Sequence, residues 1–430
     1  MNTIVVLMGL LLLSYLGAFL TSGSKGLGPG LPSASEFLVV GVLAGPLVFN
    51  AVTHASLETF DPIAYVAAGW LALSSGLEYG YAGSRRVSLV RIALGVSLAL
   101  ACGALVAGAI WLLAPLFAAL TVADRVLLAG GIGCVCAESS RHGIEWLIRR
   151  HSAHGAVTSL LRDLSHSDEV VPIAAVALLF ALRPPVHAIV HLPPIGWAAV
   201  TIGMGVLLGS LTALLLARDL RVAESWGTLL GTSLMTIGLA ARLDLAALTA
   251  MFALGATIAW FSRHGSDIRA MVHTTERAVV LPALVLAGAR IDPSTIGRLG
   301  FLVPVAIAVR LVMKVIGGSL VRLSGPARGQ SALFGLGLAS SGGMSILIGL
   351  MMALRFPGRI GDTVLATAVA VTLVGELTGP VFLRRILGRA GEIPEPDPPS
   401  APLDAASEDA SEDDDGSAEA EHTTTSEGAS

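Results

Sequence analysis

From residue 3 to residue 386 the chain returns repeatedly to apolar runs of about 20 residues, the length that carries an α-helix across the hydrocarbon of a bilayer. Thirteen such segments can be drawn, at 3–20, 36–53, 62–82, 88–119, 122–147, 153–182, 195–217, 225–241, 244–262, 275–290, 297–321, 328–354 and 362–386. Charged residues make up 13% of the chain and apolar ones 54%, with a mean hydropathy of +0.77. A soluble domain carries about a quarter charged residues, so a water-soluble fold is excluded. The fold class expected is an all-α polytopic membrane protein of about 13 transmembrane helices.

Charge is unevenly placed. Residues 391–430 hold 13 of the 31 acidic residues and none of the 27 basic ones, leaving a formal +9 on residues 1–390. That last stretch is rich in Pro, Ser, Ala and acid, too poor in apolar surface to offset its ordering entropy. It reads as a disordered acidic tail following a membrane domain over 1–390. Seventeen Lys and Arg fall in the odd-numbered loops and C-terminal end, seven in the even loops. The bias places the N-terminus outside and the tail in the cytoplasm. The first twenty residues have no positive leader region and read as a retained helix. Cys102, Cys134 and Cys136 lie in apolar segments without metal or redox spacing and read as small core residues.

Two spans lose their apolar character at mid-depth: GGIGCVCAESSRHG at 130–143 and GLGLASSGGMS at 335–345. Gly and Ser weaken a helix, and backbone groups freed there must be satisfied by protein or water. The two spans are seven apart in order, so they cross in opposite directions, as an inverted repeat with two discontinuous helices requires. Breaks in corresponding positions of two halves point to a transporter's binding site. Gly342 and Gly343 mark the second break, and Ser139 and Ser140 supply oxygens at the first. Close helix packing through small residues is the alternative.

Charges inside the apolar runs narrow the chemistry. Asp168 and Glu169 fall near the middle of segment six, where an ionised group costs about 3 kcal/mol even on the mildest scale. Burial and mutual repulsion disfavour two negative charges, so one carboxyl can hold a proton that a hard cation displaces. Neighbours on a helix point roughly 100° apart, so the pair cannot face one ion squarely. A helix that begins later, leaving both carboxylates at a wet end, is the alternative. Arg310 and Lys314 are four apart in segment eleven and share a helix face. They read as charge-compensating or gating residues, with snorkelling to the interface as the alternative for Lys314. Glu138 stands beside the first break, and Glu376 is a less central acid in segment thirteen. His142, His151, His154 and His166 read as interfacial residues, with His166 also placed to modulate a pH response.

The ordered series LGAFLTSGSKGLGPGLPSASEFLVVGVLAGPLVF, LSHSDEVVPI, LPALVLAGARID, VRLVMKVIGGSL, LGLASSGGMSI and ELTGP resembles the monovalent cation:proton antiporter superfamily over roughly residues 5–388. The resemblance implies exchange of Na+ or K+ for protons by alternating access, in a homodimer in a bacterial cytoplasmic membrane. It also implies a rigid dimerisation domain built from segments such as one to three and eight to ten. Asp168 and Glu169 would occupy the family's paired-acid position, with Glu169 the ion and proton carrier. Lys314 would match the family's basic residue, with Arg310 one turn earlier. This chain has Glu169 where the family usually has Asp, and Glu138-Ser139-Ser140-Arg141 where the family has an Asp-containing break. A same-fold symporter of another solute and a transport-inactive sensor or scaffold stand as alternatives. No metal-ligand cluster or nucleophile–base pair occurs at useful spacing, so neither an enzyme, a cofactor nor a nucleic-acid partner is expected.

Overall fold

The computed structural model describes residues 35–84, 88–183, 191–217, 222–262, 265–323 and 327–393, with scattered positions between 5 and 14. Most of the first apolar segment, Lys25 and the acidic stretch from 394 onward lie outside the described residues. Among the described residues every regular element is helical. The longer helices are α1 (Ser35–Ala44), α2 (Asp61–Ser84), α3 (Leu89–Leu113), α4 (Val122–Ala137), α5 (Arg141–Arg150), α6 (Ala156–Ser167) and α7 (Val170–Ala181). They continue with α8 (Pro194–Leu216), α9 (Val222–Arg242), α10 (Ala247–Phe261), α11 (Gly265–Ala289), α12 (Leu302–Val321), α13 (Gly343–Arg355) and α14 (Arg359–Arg389). Six of the described helical stretches are long and apolar enough to cross a membrane, and α1, α10 and α13 are shorter apolar helices.

Helix limits follow local chemistry. The Thr121 hydroxyl accepts from Asp124 N–H and opens α4, with Asp124 in the first turn where the helix dipole favours an anion. Ser140 does the same for α5 by accepting from Gly143 N–H, and Arg149 and Arg150 close its last turn. Segment ten begins ten residues earlier than its hydropathy indicates, because Gly265–Glu276 continues the helix with a mixed polar sequence.

Large apolar side chains point outward, among them Leu112, Leu207, Leu214, Trp260 and Leu320. Lipid tails accept such a surface and water does not. On α12 the residues at 306, 310, 314, 317, 318 and 321 are buried, while Val312, Ile316 and Leu320 are exposed. The three-to-four spacing therefore turns Arg310 and Lys314 inward on one stripe.

Two groups of helices share this frame. One gathers α3–α7 and α12–α14, and the other gathers α1, α2 and α8–α11. In the second group α2 and α10 approach so closely that a Cβ on Gly76 would collide with the Phe252 carbonyl. A Cβ on Gly255 would collide with that of Leu73. Gly76→Ala is expected to cost about 1–3 kcal/mol by overpacking. It should lower the thermal unfolding midpoint of the detergent-purified protein. Gly227→Ala on α9, where nothing lies within 4 Å of the added carbon, should not.

Candidate functional site

Segments five and twelve do break where their sequences turn small and polar. Helix α4 ends at Ala137, and Glu138 (ψ 148°) and Ser140 (ψ 104°) run extended into α5. In segment twelve a 3-10 stretch, Ala332–Leu338, gives way at Ala339–Gly342 before α13 begins at Gly343. The two breaks touch: Ser140 N–H donates to the Ser340 carbonyl at 2.9 Å. Small residues on α14 make room, since a Cβ on Gly379 would sit 2.7 Å from that of Ser340. Glu376 is buried on the same helix.

Breaking two helices inside apolar surroundings leaves carbonyls and N–H groups without ladder partners. Arg310, 2% exposed, answers for the carbonyls. Its Nε donates to Cys136 O (3.2 Å), one terminal nitrogen to Ala339 O (2.6 Å), and the other to Glu138 O (2.9 Å) and Ser340 O (3.3 Å). A single guanidinium thus caps both chain ends where negative dipole accumulates. Lys314 Nζ adds a donor to Ala137 O at 3.4 Å. Glu138 serves the opposite pole. Its carboxylate accepts from Ser345 N–H at 2.9 Å and from the Ser345 hydroxyl, at the first turn of α13. An anion there faces the positive end of that helix.

Segment six runs from Ala156 to Ala181 with an interruption at Asp168 and Glu169, whose backbone angles stay helical. The cause is Pro172, which brings no N–H to the Asp168 carbonyl four residues before it. Both acids are 4% exposed and lie near the middle of the helical stretch Ala156–Ala181. They face different cations. Asp168 Oδ2 lies 3.9 Å from Lys314 Nζ, which also donates to Ser139 Oγ at 2.6 Å. Glu169 Oε1 lies 3.9 Å from Arg141 Nε. Asp168 Oδ1 is buried with no hydrogen-bond partner, an acceptor oxygen available to a ligand. Ser140 Oγ, in contrast, is engaged in capping its own helix. The structure thus brings together Asp168, Glu169, Ser139, Lys314, Arg310, Glu138, Gly342 and the Ser140 backbone at one junction.

Sequence reasoning passed over a second layer. Arg141 is buried, and its Nη1 lies 3.8 Å from Glu78 Oε2 on α2. His166 Nε2 stands 3.3 Å from the same carboxylate oxygen. Glu276 on α11 accepts from Ser74 Oγ (2.6 Å) and lies 2.7 Å from His142 Nε2 and 3.1 Å from His273 Nδ1. Glu78 was legible by the criterion that flagged Asp168, an acid within an apolar run. Glu276 stands at the very edge of segment ten as its hydropathy draws it, whereas α11 begins ten residues earlier.

No protein-family model matches the sequence, and no curated protein matches it either. The fold does have a counterpart. The sodium proton antiporter MjNhaP1 of Methanocaldococcus jannaschii superposes with a TM-score of 0.65 over 90% of this chain and 100% of its own, at 15% identity. This chain shares that fold and, with its apolar helices, is an integral membrane protein.

Two substitutions test the junction. Arg310→Gln strands several buried carbonyls, each costing about 1–3 kcal/mol, and should lower thermal stability in detergent well below that of the wild type. At Gly342 an added Cβ would lie 2.7 Å from Ser140 Oγ and 3.4 Å from Glu138 Oε1, whereas at Gly343 its nearest neighbour is 3.6 Å away. Gly342→Ala is therefore expected to reduce both stability and function, and Gly343→Ala to leave both near wild type. Unfolding midpoints and the proteoliposome assay described below provide the readouts.

Proposed function

We propose that this membrane protein is a secondary transporter exchanging a monovalent cation, Na+ or K+, for protons. The observation that carries the reading is the charge balance at the junction. Three buried carboxylates, Glu138, Asp168 and Glu169, stand against three buried bases, Arg141, Arg310 and Lys314. With all six ionised the junction is formally neutral. Net charge in such a site is costly, so an entering cation is best accommodated when a positive charge leaves. With Glu169 protonated the junction carries +1, and releasing that proton as a monovalent cation binds leaves its charge unchanged.

In this mechanism Glu138 and Arg310 are committed to the helix ends, and the working groups are those of segment six and their partners. Glu169 carries the proton as a carboxylic acid, releases it to water on one side and accepts the cation through its carboxylate oxygens. Asp168 supplies a further oxygen, and Lys314 balances its charge while the site is empty. Ser139 and carbonyls of the broken segments complete an all-oxygen environment, which hard cations favour.

Segments five and twelve act in this reading as the crossed, partly unwound helices of an inverted repeat within about thirteen spans. The group containing α3–α7 and α12–α14 moves past the other, opening the site to alternate sides. Two copies pair through the group containing α2 and α9–α11. The N-terminus lies outside and the acidic tail in the cytoplasm of a bacterial inner membrane.

The test is cation-driven proton movement in proteoliposomes carrying a trapped pH dye. Sodium or potassium should drive proton flux in the wild type, Glu169→Gln should abolish it, and Asp168→Asn should impair it. Full flux in Glu169→Gln would remove Glu169 as carrier. A correctly folded wild type that moves no protons with any alkali cation would remove the antiport reading.

A further inference from the structure

Arg141 occupies an unusual place for a cation. It is the first residue of α5, where the helix dipole is positive and an anion would be favoured. It is also buried, so its charge needs a carboxylate partner. Two such partners stand almost equidistant: Glu169 Oε1 at 3.9 Å from Nε and Glu78 Oε2 at 3.8 Å from Nη1. Both separations exceed the roughly 2.7–2.9 Å of a closed charge-assisted hydrogen bond, so the guanidinium rests between the two acids. Glu78 Oε2 also has His166 Nε2 at 3.3 Å, whereas the other acids nearby have closer partners. Glu145, one turn along α5, is held by Arg162 at 2.5 Å. Glu276 is held by Ser74, His142 and His273.

The two partners belong to different halves of the molecule. Glu169 and Arg141 lie in the group containing α3–α7, whereas Glu78 lies on α2 in the other group. We infer that Arg141 is a positioning residue that acts as a tethered counter-cation, passed from Glu169 to Glu78 when the transported cation arrives. This inference rests on the proposed cation exchange at Glu169. In the empty site Arg141 offsets the Glu169 charge and competes with the incoming ion. When the ion takes over that task, Arg141 closes on Glu78 and strengthens the contact between the two groups. Site occupancy is thereby reported to the interface along which the groups move.

A structural ion pair and a passed counter-cation differ in the sign of their effects on apparent affinity. Removing the competitor with Arg141→Gln should lower the sodium KM by about threefold to tenfold, with a reduced maximal rate because the interface contact is lost. Removing the acceptor with Glu78→Gln leaves Arg141 to Glu169 alone and should raise the KM by a similar factor. The double variant should match Arg141→Gln, because Glu78 acts on the site through Arg141. Arg141→Lys, which keeps the charge without the planar fork, should fall between wild type and Arg141→Gln.

The experiment is sodium-dependent proton flux of the full chain in proteoliposomes at fixed pH, with unfolding midpoints recorded for each variant. Opposite KM shifts for Arg141→Gln and Glu78→Gln support the inference. Wild-type exchange accompanied by an unchanged or raised KM in Arg141→Gln and Arg141→Lys overturns it and leaves the antiport reading standing. KM shifts of the same sign in Arg141→Gln and Glu78→Gln overturn it as well. Absence of sodium- or potassium-driven flux in the wild type overturns the antiport reading and this inference with it.

Discussion

The hydrogen bonds from Arg310 to the carbonyls of Cys136, Glu138, Ala339 and Ser340 hold two interrupted segments against each other. In water a broken helix is cheap, because solvent replaces the lost ladder bonds. In an apolar interior each freed carbonyl needs a protein donor. Arginine suits the task because its fork reaches several acceptors at once while the charge itself offsets the negative ends of the segments. Glu138 completes the arrangement from the other side, giving the first turn of α13 an anion. These caps hold the non-helical stretches at Glu138–Ser140 and Ala339–Gly342, and the junction gathers around them.

That commitment separates residues that look interchangeable in sequence. Glu138 and Arg310 are occupied in backbone satisfaction, whereas Asp168, Glu169, Lys314 and Arg141 meet one another at distances near 3.9 Å. Adjacent positions on a helix diverge in direction, so Asp168 addresses α12 and Glu169 addresses α5. The two acids therefore face different cations despite sharing one peptide bond. Pro172 loosens the ladder between them, leaving the Asp168 carbonyl without its usual N–H donor.

Much of this was legible in the sequence, and what was not has physical causes. Run length and composition disclosed the helical membrane fold, and clusters of Gly and Ser disclosed both breaks, because lipid tolerates no other solution. The four-residue spacing of Arg310 and Lys314 gave their common face. It could not tell that one binds carbonyls and the other faces a carboxylate, since that depends on residues some 170 positions away. The break beside Arg141 is legible, but not its geometry: a helix restarting inside the protein looks in sequence like a helix ending at the surface, so the partners of Arg141 stay hidden. Likewise His142 and His166 look interfacial until α2 and α11 bring Glu276 and Glu78 against them.

Those long-range pairs matter for motion as well as for position. Contacts between the two helix groups include the Thr249 hydroxyl on α10 donating to the Ile173 carbonyl on α7, at 2.6 Å. They also include the ionic set of Glu78 and Glu276 facing Arg141, His142 and His166. Apolar and neutral contacts can slide with little change in free energy. A buried charge cannot lose one partner before another takes over without a cost of about 3–5 kcal/mol. Under the proposed alternating access, such an interface would move only when its charges have somewhere to go. In the proposed exchange, the vicinity of Glu169, where acids and bases from both groups converge, is where ion occupancy would decide whether they do.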